Sequence, residues 1–382
     1  MNTSNKTIAV VGPVYPYKGG IAHYTGLLVR EMEKRFRVHT ISYSMQYPKL
    51  LFKKEQKDYD NDSFRVDAEF ILNTASPVSI LKTAGRINSL NPDLVIVQWW
   101  HPYFAPCYRI LAGKLKARLM FICHNVFPHE RFVFDRFLTK LTLKCGDFFI
   151  LHSSKEVSEL KSIIKKPVYR VNMHPTYSAF DFSGDAYPGQ SASGQSHGER
   201  RGNGRTLLFF GFVRPYKGLK YLLNAMKELD EDIKLMVVGD FGNDRASYDA
   251  QIEELGIADR LEIHDEYVPD KQVELYFKSC DAVVLPYIDA TQSGIAQIAF
   301  GFKKPVIATD VGGLPEVVTD GITGIVCKSA DSRALADGIN RFYELRRTVD
   351  FAANIEKDSR RFSWEQLVDT IVNVAFNEGS SV

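Results

Sequence analysis

Two cations three residues apart, Arg214 and Lys217, stand in the stretch FFGFVRPYKGLKYLLNAM (209–226). The apolar run ahead of Gly211 has the character of a buried strand, and the residues after Gly218 have helical spacing. A strand–loop–helix leaves backbone N–H groups without intrahelical partners at the helix start, and these attract anions. Arginine holds phosphate oxygens through a planar fork, whereas lysine supplies a compact charge. The segment therefore suits a diphosphate. It also suits an ordinary turn whose two cations are merely solvated. A second candidate, VVGPVYPYKGGIAHYTG (10–26), places Gly19 and Gly20 just before a helix read over 21–36. Glycines there admit close approach of the backbone to a phosphate, or serve a tight turn that needs positive φ. The spacing is not the G-x-G-x-x-G fingerprint, which counts against a nicotinamide or flavin site.

The elements that would position these loops follow a regular alternation. TIAVVG (7–12), DLVIVQWW (93–100), ARLMFICHN (117–125) and DFFILHS (147–153) are short apolar runs separated by helical stretches. The same pattern restarts with TLLFFG (206–211), IKLMVVGD (233–240), LEIHDEY (261–267), DAVVLPY (281–287) and KPVIATD (304–310). Apolar strands alternating with helices predict an α/β fold with parallel sheets. Between the two series, 181–205 is rich in Gly and Ser and reads as a flexible connector. The expected organisation is one Rossmann-like domain at 1–180, the connector at 181–205 and a second Rossmann-like domain at 206–360. A C-terminal helix at 361–382 would pack back on the first domain. In such sheets ligands bind beyond the carboxyl ends of the strands, so both glycine-bearing loops would look into a cleft between the domains.

Composition narrows the classes. A chain of 382 residues with 45% hydrophobic and 25% charged residues is an ordinary globular protein of two domains. No apolar run approaches the roughly 20 residues needed to span a bilayer, and the N-terminus enters a strand without the pattern of a signal peptide. Five scattered cysteines without a C-x-x-C pair fit a reducing, cytoplasmic setting and argue against zinc. The charge is uneven: residues 1–180 hold 26 Lys and Arg against 14 Asp and Glu, and 181–382 hold 22 against 32.

With these segments in hand, the chain resembles the family four glycosyltransferases, which have the GT-B architecture. The resemblance is carried by VYPYKGGIAHYT, ICHNVFPHE, GFVRPYKG, YVPDKQVELYFKSCDAVVLPY and TQSGIAQIAFGFKKPVIATDVGGLPEVV, in the family's order and spacing. It spans nearly the whole chain apart from the connector. It implies two Rossmann-like domains with parallel sheets facing across a cleft, and retaining transfer of a hexose-type sugar from a nucleoside diphosphate sugar. Gly19 and Gly20 would lie near the donor diphosphate, and Lys217 would bind it. Arg214 sits two residues after the family's usual arginine, whose place Phe212 takes, and would be the second phosphate contact. His124 matches a histidine near the transferred sugar and is the one catalytic candidate. Taken alone, it is also an ordinary satisfied histidine at a strand end. Val268 and Glu316 would contact the donor nucleotide or sugar, and His23 and Tyr24 the acceptor side.

One departure stands out. Many members carry Glu-x7-Glu, and the two positions here are Ala290 and Ile298. The segment ATQSGIAQI instead offers Gln292, Ser293, Gly294 and Gln297 for the sugar, on a helix expected to start near Ser293. The resemblance implies no metal and no cofactor beyond the donor as co-substrate. Asp60-x-Asp62 and Asp230-x-Asp232 read as solvated surface. The acceptor would be a glycan or lipid-linked molecule in cell-surface polysaccharide or glycoconjugate synthesis. Four stretches, 49–57, 109–118, 136–144 and 161–166, mix Lys and Arg with Leu, Ile or Phe. They suit peripheral contact with the inner, anionic face of a membrane, and none carries a nucleic-acid-binding motif. A nucleotide-sugar 2-epimerase of the same architecture and a non-catalytic nucleotide-sugar-binding protein are the alternatives.

Overall fold

In the computed structural model, residues 6–50, 55–59, 62–128, 131–177 and 205–376 are described. The connector at 181–204, residues 51–54, Asp60 and residues 129–130 lie outside them. The described chain divides into two compact units, the first up to Pro175 together with residues from Arg361 onward, the second Thr176–Arg360.

The first unit runs β1 (Thr7–Val11), α1 (Gly20–Glu33), β2 (Arg37–Met45), β3 (Glu69–Asn73), α2 (Pro77–Ser89), β4 (Leu94–Trp99), α3 (Ala105–Ala112), β5 (Arg118–Cys123), α4 (Asp135–Leu143), β6 (Phe148–Leu151), α5 (Ser154–Lys161) and β7 (Tyr169–Val171). Its seven strands lie in the order β3-β2-β1-β4-β5-β6-β7, and the pairs are parallel. Successive side chains of β1 enter opposite layers: Ala9 and Val11 join one buried cluster, Ile8 and Val10 the other. A strand buried on both faces must be apolar throughout, which is why IAVV shows no polar alternation.

The second unit runs β8 (Arg205–Phe210), α6 (Leu219–Met226), β9 (Ile233–Val238), α7 (Arg245–Leu255), β10 (Leu261–His264), α8 (Asp270–Ser279), β11 (Ala282–Leu285), α9 (Gly294–Gly301), β12 (Val306–Thr309), α10 (Leu314–Val317), β13 (Gly324–Cys327), α11 (Ser332–Leu345) and α12 (Phe351–Asp358). Its order is β10-β9-β8-β11-β12-β13, again parallel. Leu222, Leu223 and Met226 of α6 pack with Leu335, Ile339 and Phe342 of α11 on one face of the sheet.

The last helix, α13 (Trp364–Phe376), belongs to the first unit. Leu367, Val368, Ile371, Val372 and Ala375 recur at helical spacing and enter the cluster that holds Ile8, Tyr24 and Leu28. Arg35 of the loop after α1 pairs with Asp369 of α13. The Asp230-x-Asp232 pair lies at the surface, as expected, with Arg205 bridging both carboxylates.

Candidate functional site

In the second sheet the strand order reverses direction between β8 and β11, where β8 continues to β9 on one side and meets β11 on the other. Such a switch point leaves a crevice beyond the carboxyl ends of the two strands. Both ends are occupied by the candidate residues. β8 stops at Phe210, and Pro215–Lys217 form a short 3-10 turn led by proline, whose fixed φ suits a first helical position. Gly218 then takes the left-handed conformation, φ 68°, and hands the chain to α6. A Cβ at Gly218 would lie 1.9 Å from the carbonyl oxygen of Pro286, so only glycine lets this turn seat against the end of β11.

That seating buries Lys217. Its side chain runs over Gly211, where a Cβ would stand 3.1 Å from Nζ, and Nζ lies 5.9 Å from the centre of the Tyr287 ring. The residue is 8% exposed, and among the described residues no carboxylate pairs with it. Burial, with the nearby Arg214 charge second, pulls its pKa down to about 8. Arg214 donates from Nη1 to its neighbour's carbonyl, Val213 O, at 2.8 Å and lies against the exposed Phe212 ring at 5.6 Å. The turn carries two neighbouring cations, and the first turn of α6 has no side-chain cap. A buried ammonium in this state lacks the compensation that structural buried charges normally have. An anion of two or more charges placed at the switch point would supply it.

The residues expected to meet the sugar form a second lobe of the same unit. Gly312 follows β12 with φ 53°, and a Cβ there would come within 1.7 Å of the Ala290 carbonyl oxygen. Gly313 N–H donates to Thr291 O at 3.0 Å. These contacts press the loop that leads to Glu316, half-buried on α10, against the turn of Gln292, Ser293 and Gly294. The helix begins at Gly294 with Ser293 as N-cap, its Oγ accepting from Ala296 N–H at 3.3 Å. Ser293 Oγ is engaged as this cap and lies 3.5 Å from Tyr287 OH. Gln297 is enclosed, and among the described residues neither Oε1 nor Nε2 has a hydrogen-bond partner. Ala290 and Ile298, where many members have glutamates, are both buried side chains. Val268 is likewise buried, in the loop between β10 and α8.

In the first unit, Gly19 has φ 101° with nothing within 4 Å of a built Cβ, so the glycine serves the backbone and not a close neighbour. It caps α1 without a side chain, and Gly20 is exposed. His23 stacks on Phe64 at 4.3 Å. Tyr24, expected on the acceptor side, is 0% exposed and ringed by His124, His152, His174 and Trp364 at 4.5–5.5 Å between ring centres. His124 follows β5, is 4% exposed, and its Nε2 lies 2.8 Å from Gln98 Oε1. Burial, then the charges of His152 and His174, holds its pKa well below the usual histidine value. The geometry gives it the surroundings of a satisfied core histidine. His152 and His174 carry no sequence signal beyond following β6 and β7; only the fold gathers them.

Residues 195–362 match the family profile described as Glycosyl transferases group 1. A D-inositol 3-phosphate glycosyltransferase of Xylanimonas cellulosilytica is 25% identical over 237 residues, 60% of this chain and 56% of that relative. The chain thus spans about half the length of that curated relative. Among solved structures, a sucrose-phosphate synthase of Thermosynechococcus elongatus superposes with TM-score 0.72 at 17% identity, covering 98% of this chain and 97% of the other. An Anabaena protein in complex with UDP and glucose superposes with TM-score 0.71 at 17% identity, covering 96% and 99%. Both share the GT-B fold of two parallel-sheet, Rossmann-like domains. By motif order, profile and fold together, the chain resembles the group 1 glycosyltransferases, whose profile matches residues 195–362.

Proposed function

We propose that the chain moves a hexose-type sugar from a nucleoside diphosphate sugar to a glycan or lipid-linked acceptor, with retention, in cell-surface polysaccharide or glycoconjugate synthesis. The observation that carries the donor half of this reading is Lys217, a buried ammonium without a carboxylate at the switch point of the second sheet. The Anabaena structure, which holds UDP and glucose, supports a diphosphate of this type as the ligand. As the sugar–phosphate bond breaks, negative charge grows on the departing diphosphate. Lys217 and Arg214 would offset it, stabilising the transition state more than the bound ground state.

A thermal-shift screen of nucleotide sugars tests the donor half, because a ligand that binds only the folded state raises apparent stability. The best donor should give a shift that Lys217→Ala removes; an unchanged shift would contradict the assignment. Acceptor-dependent release of nucleoside diphosphate then separates transfer from epimerisation. The packed Ala290 and Ile298 favour one second reading, a protein that binds the donor without transferring it. Donor binding with no turnover against any acceptor fraction would establish that reading instead.

A further inference from the structure

Of the four basic stretches named above, 49–57 falls partly outside the described residues, with Leu50 87% exposed, and the other three differ in where their apolar residues point. In 109–118 Leu111 is buried and Ile110 and Leu115 are half-buried in the core, so the cations there flank an inward-facing helix. In 161–166 Ile163 is likewise buried. Along α4 and the residues before it, the apolar side chains face outward. Val133 is 90% exposed, Phe134 66% and Phe137 63%, with Phe132 and Leu141 exposed beside them. Phe134, Phe137 and Leu141 recur at intervals of three and four, the spacing of one helix face. Soluble proteins seldom leave so many large apolar side chains together in water, and such patches mark interaction surfaces.

The exposed charges on α4 itself are cationic. Arg136, Lys140 and Lys144 are exposed on α4, and among the described residues no carboxylate pairs with any of them. The helix's own acid, Asp135, is buried and taken up by Arg131. Arg136 Nη2 donates to Ser162 O at 3.1 Å, which ties α4 to the 161–166 stretch and adds Lys161, Lys165 and Lys166 to the same surface. Thr142 Oγ1 donates to Ala105 O at 3.3 Å and fixes the opposite face of α4 on α3. The outward aromatics are therefore held on an anchored helix.

We propose that this face docks on an anionic lipid bilayer, with Phe134 and Phe137 entering the headgroup–acyl boundary and the six cations meeting lipid phosphates. Aromatic and apolar side chains rimmed by Lys and Arg match both layers of that interface, and no other partner offers a flat apolar zone beneath dense negative charge. The surface lies in the first unit and involves none of the residues assigned to the donor, so it stands or falls separately from the donor reading.

The test is co-sedimentation of the whole chain with vesicles of equal parts phosphatidylglycerol and phosphatidylcholine, and with phosphatidylcholine alone. Binding should require the anionic lipid and fall away near 1 M salt, where the screening length is about 3 Å. The double variant Phe134→Ser/Phe137→Ser should bind roughly tenfold more weakly or worse, and Arg136→Glu/Lys140→Glu should do the same at low salt. Both pairs are exposed, and an unchanged melting temperature checks that the fold is intact. No binding of the unaltered chain to anionic vesicles at low salt overturns the proposal, as does undiminished binding by the double serine variant. A dimer in solution that the serine variant dissociates, without loss of vesicle binding, would assign the patch to a second copy and overturn it equally.

Discussion

Two buried polar sites sit one in each unit, and they solve burial in opposite ways. In the first, His124, His152 and His174 surround Tyr24 as neutral rings: Nε2 of His124 lies against Gln98, and Nδ1 of His152 lies 2.7 Å from Asn172 O. In the second, Lys217 is buried beside another cation with no carboxylate to answer it. Histidine escapes the desolvation penalty by shedding its proton, at a cost that its ordinary pKa keeps small. Lysine resists until well above neutral pH, so at pH 7 the chain bears an uncompensated charge. The two sites differ in charge: the first holds neutral rings, although Gln98 Nε2 and His152 Nε2 have no hydrogen-bond partner among the described residues, and the second holds a cation without a carboxylate.

The comparison can be broken most forcefully at His124. If the cluster is structural, His124→Ala should cost about 2–4 kcal/mol through the cavity and the lost partner for Gln98. All three tryptophans, Trp99, Trp100 and Trp364, lie in the first unit, so intrinsic fluorescence during urea unfolding reports that loss selectively. A variant that unfolds normally yet loses all turnover would move His124 back among the reacting groups. Next in size is donor binding. Lys217→Ala should weaken the best nucleotide sugar by about 1.5–3 kcal/mol, the range for a charge-assisted hydrogen bond, and calorimetric titration measures it. Affinity should also fall as pH rises through about 8, because the bound form requires the ammonium.

Acid should discriminate between the units. The histidine pKa values are depressed in the native state, to about 4 for His152 and about 3 for His174, with burial the chief cause in each. Below about 6.5 the unfolded chain therefore takes up protons that the native one refuses, and stability falls with slope up to about 1.4 kcal/mol per pH unit for each histidine. The fluorescence midpoint should drop between pH 6.5 and 4. Lys217 has the same sign in its own range: its native pKa is depressed, so between about pH 8 and 10.5 the second unit should gain stability. The smallest effect is Lys217→Met without ligand, which should be neutral or stabilising by about 1 kcal/mol and should abolish that alkaline gain. A clear loss of stability at pH 7 would show that the lysine already has its partner.

The sequence by itself determined the alternation of apolar strands and helices, hence the parallel α/β class, because strands covered on both faces must be apolar throughout. It also determined the helix start near Ser293 and the existence of the terminal helix, since caps and periodicity are local properties. Strands such as β2, β3 and β13 were harder to see: RVHTISYSM mixes polar residues into a buried sheet, and EFILN and GIVC are too short to show a period. Only the tertiary structure decided the rest. It buried Lys217 by seating Gly218 on Pro286, brought Arg205 to Asp230 and Asp232, closed Gln297 away from solvent, and gathered three histidines from the ends of separate strands around Tyr24. Burial and pairing between residues distant in the chain are created by packing, so no local pattern could have recorded them.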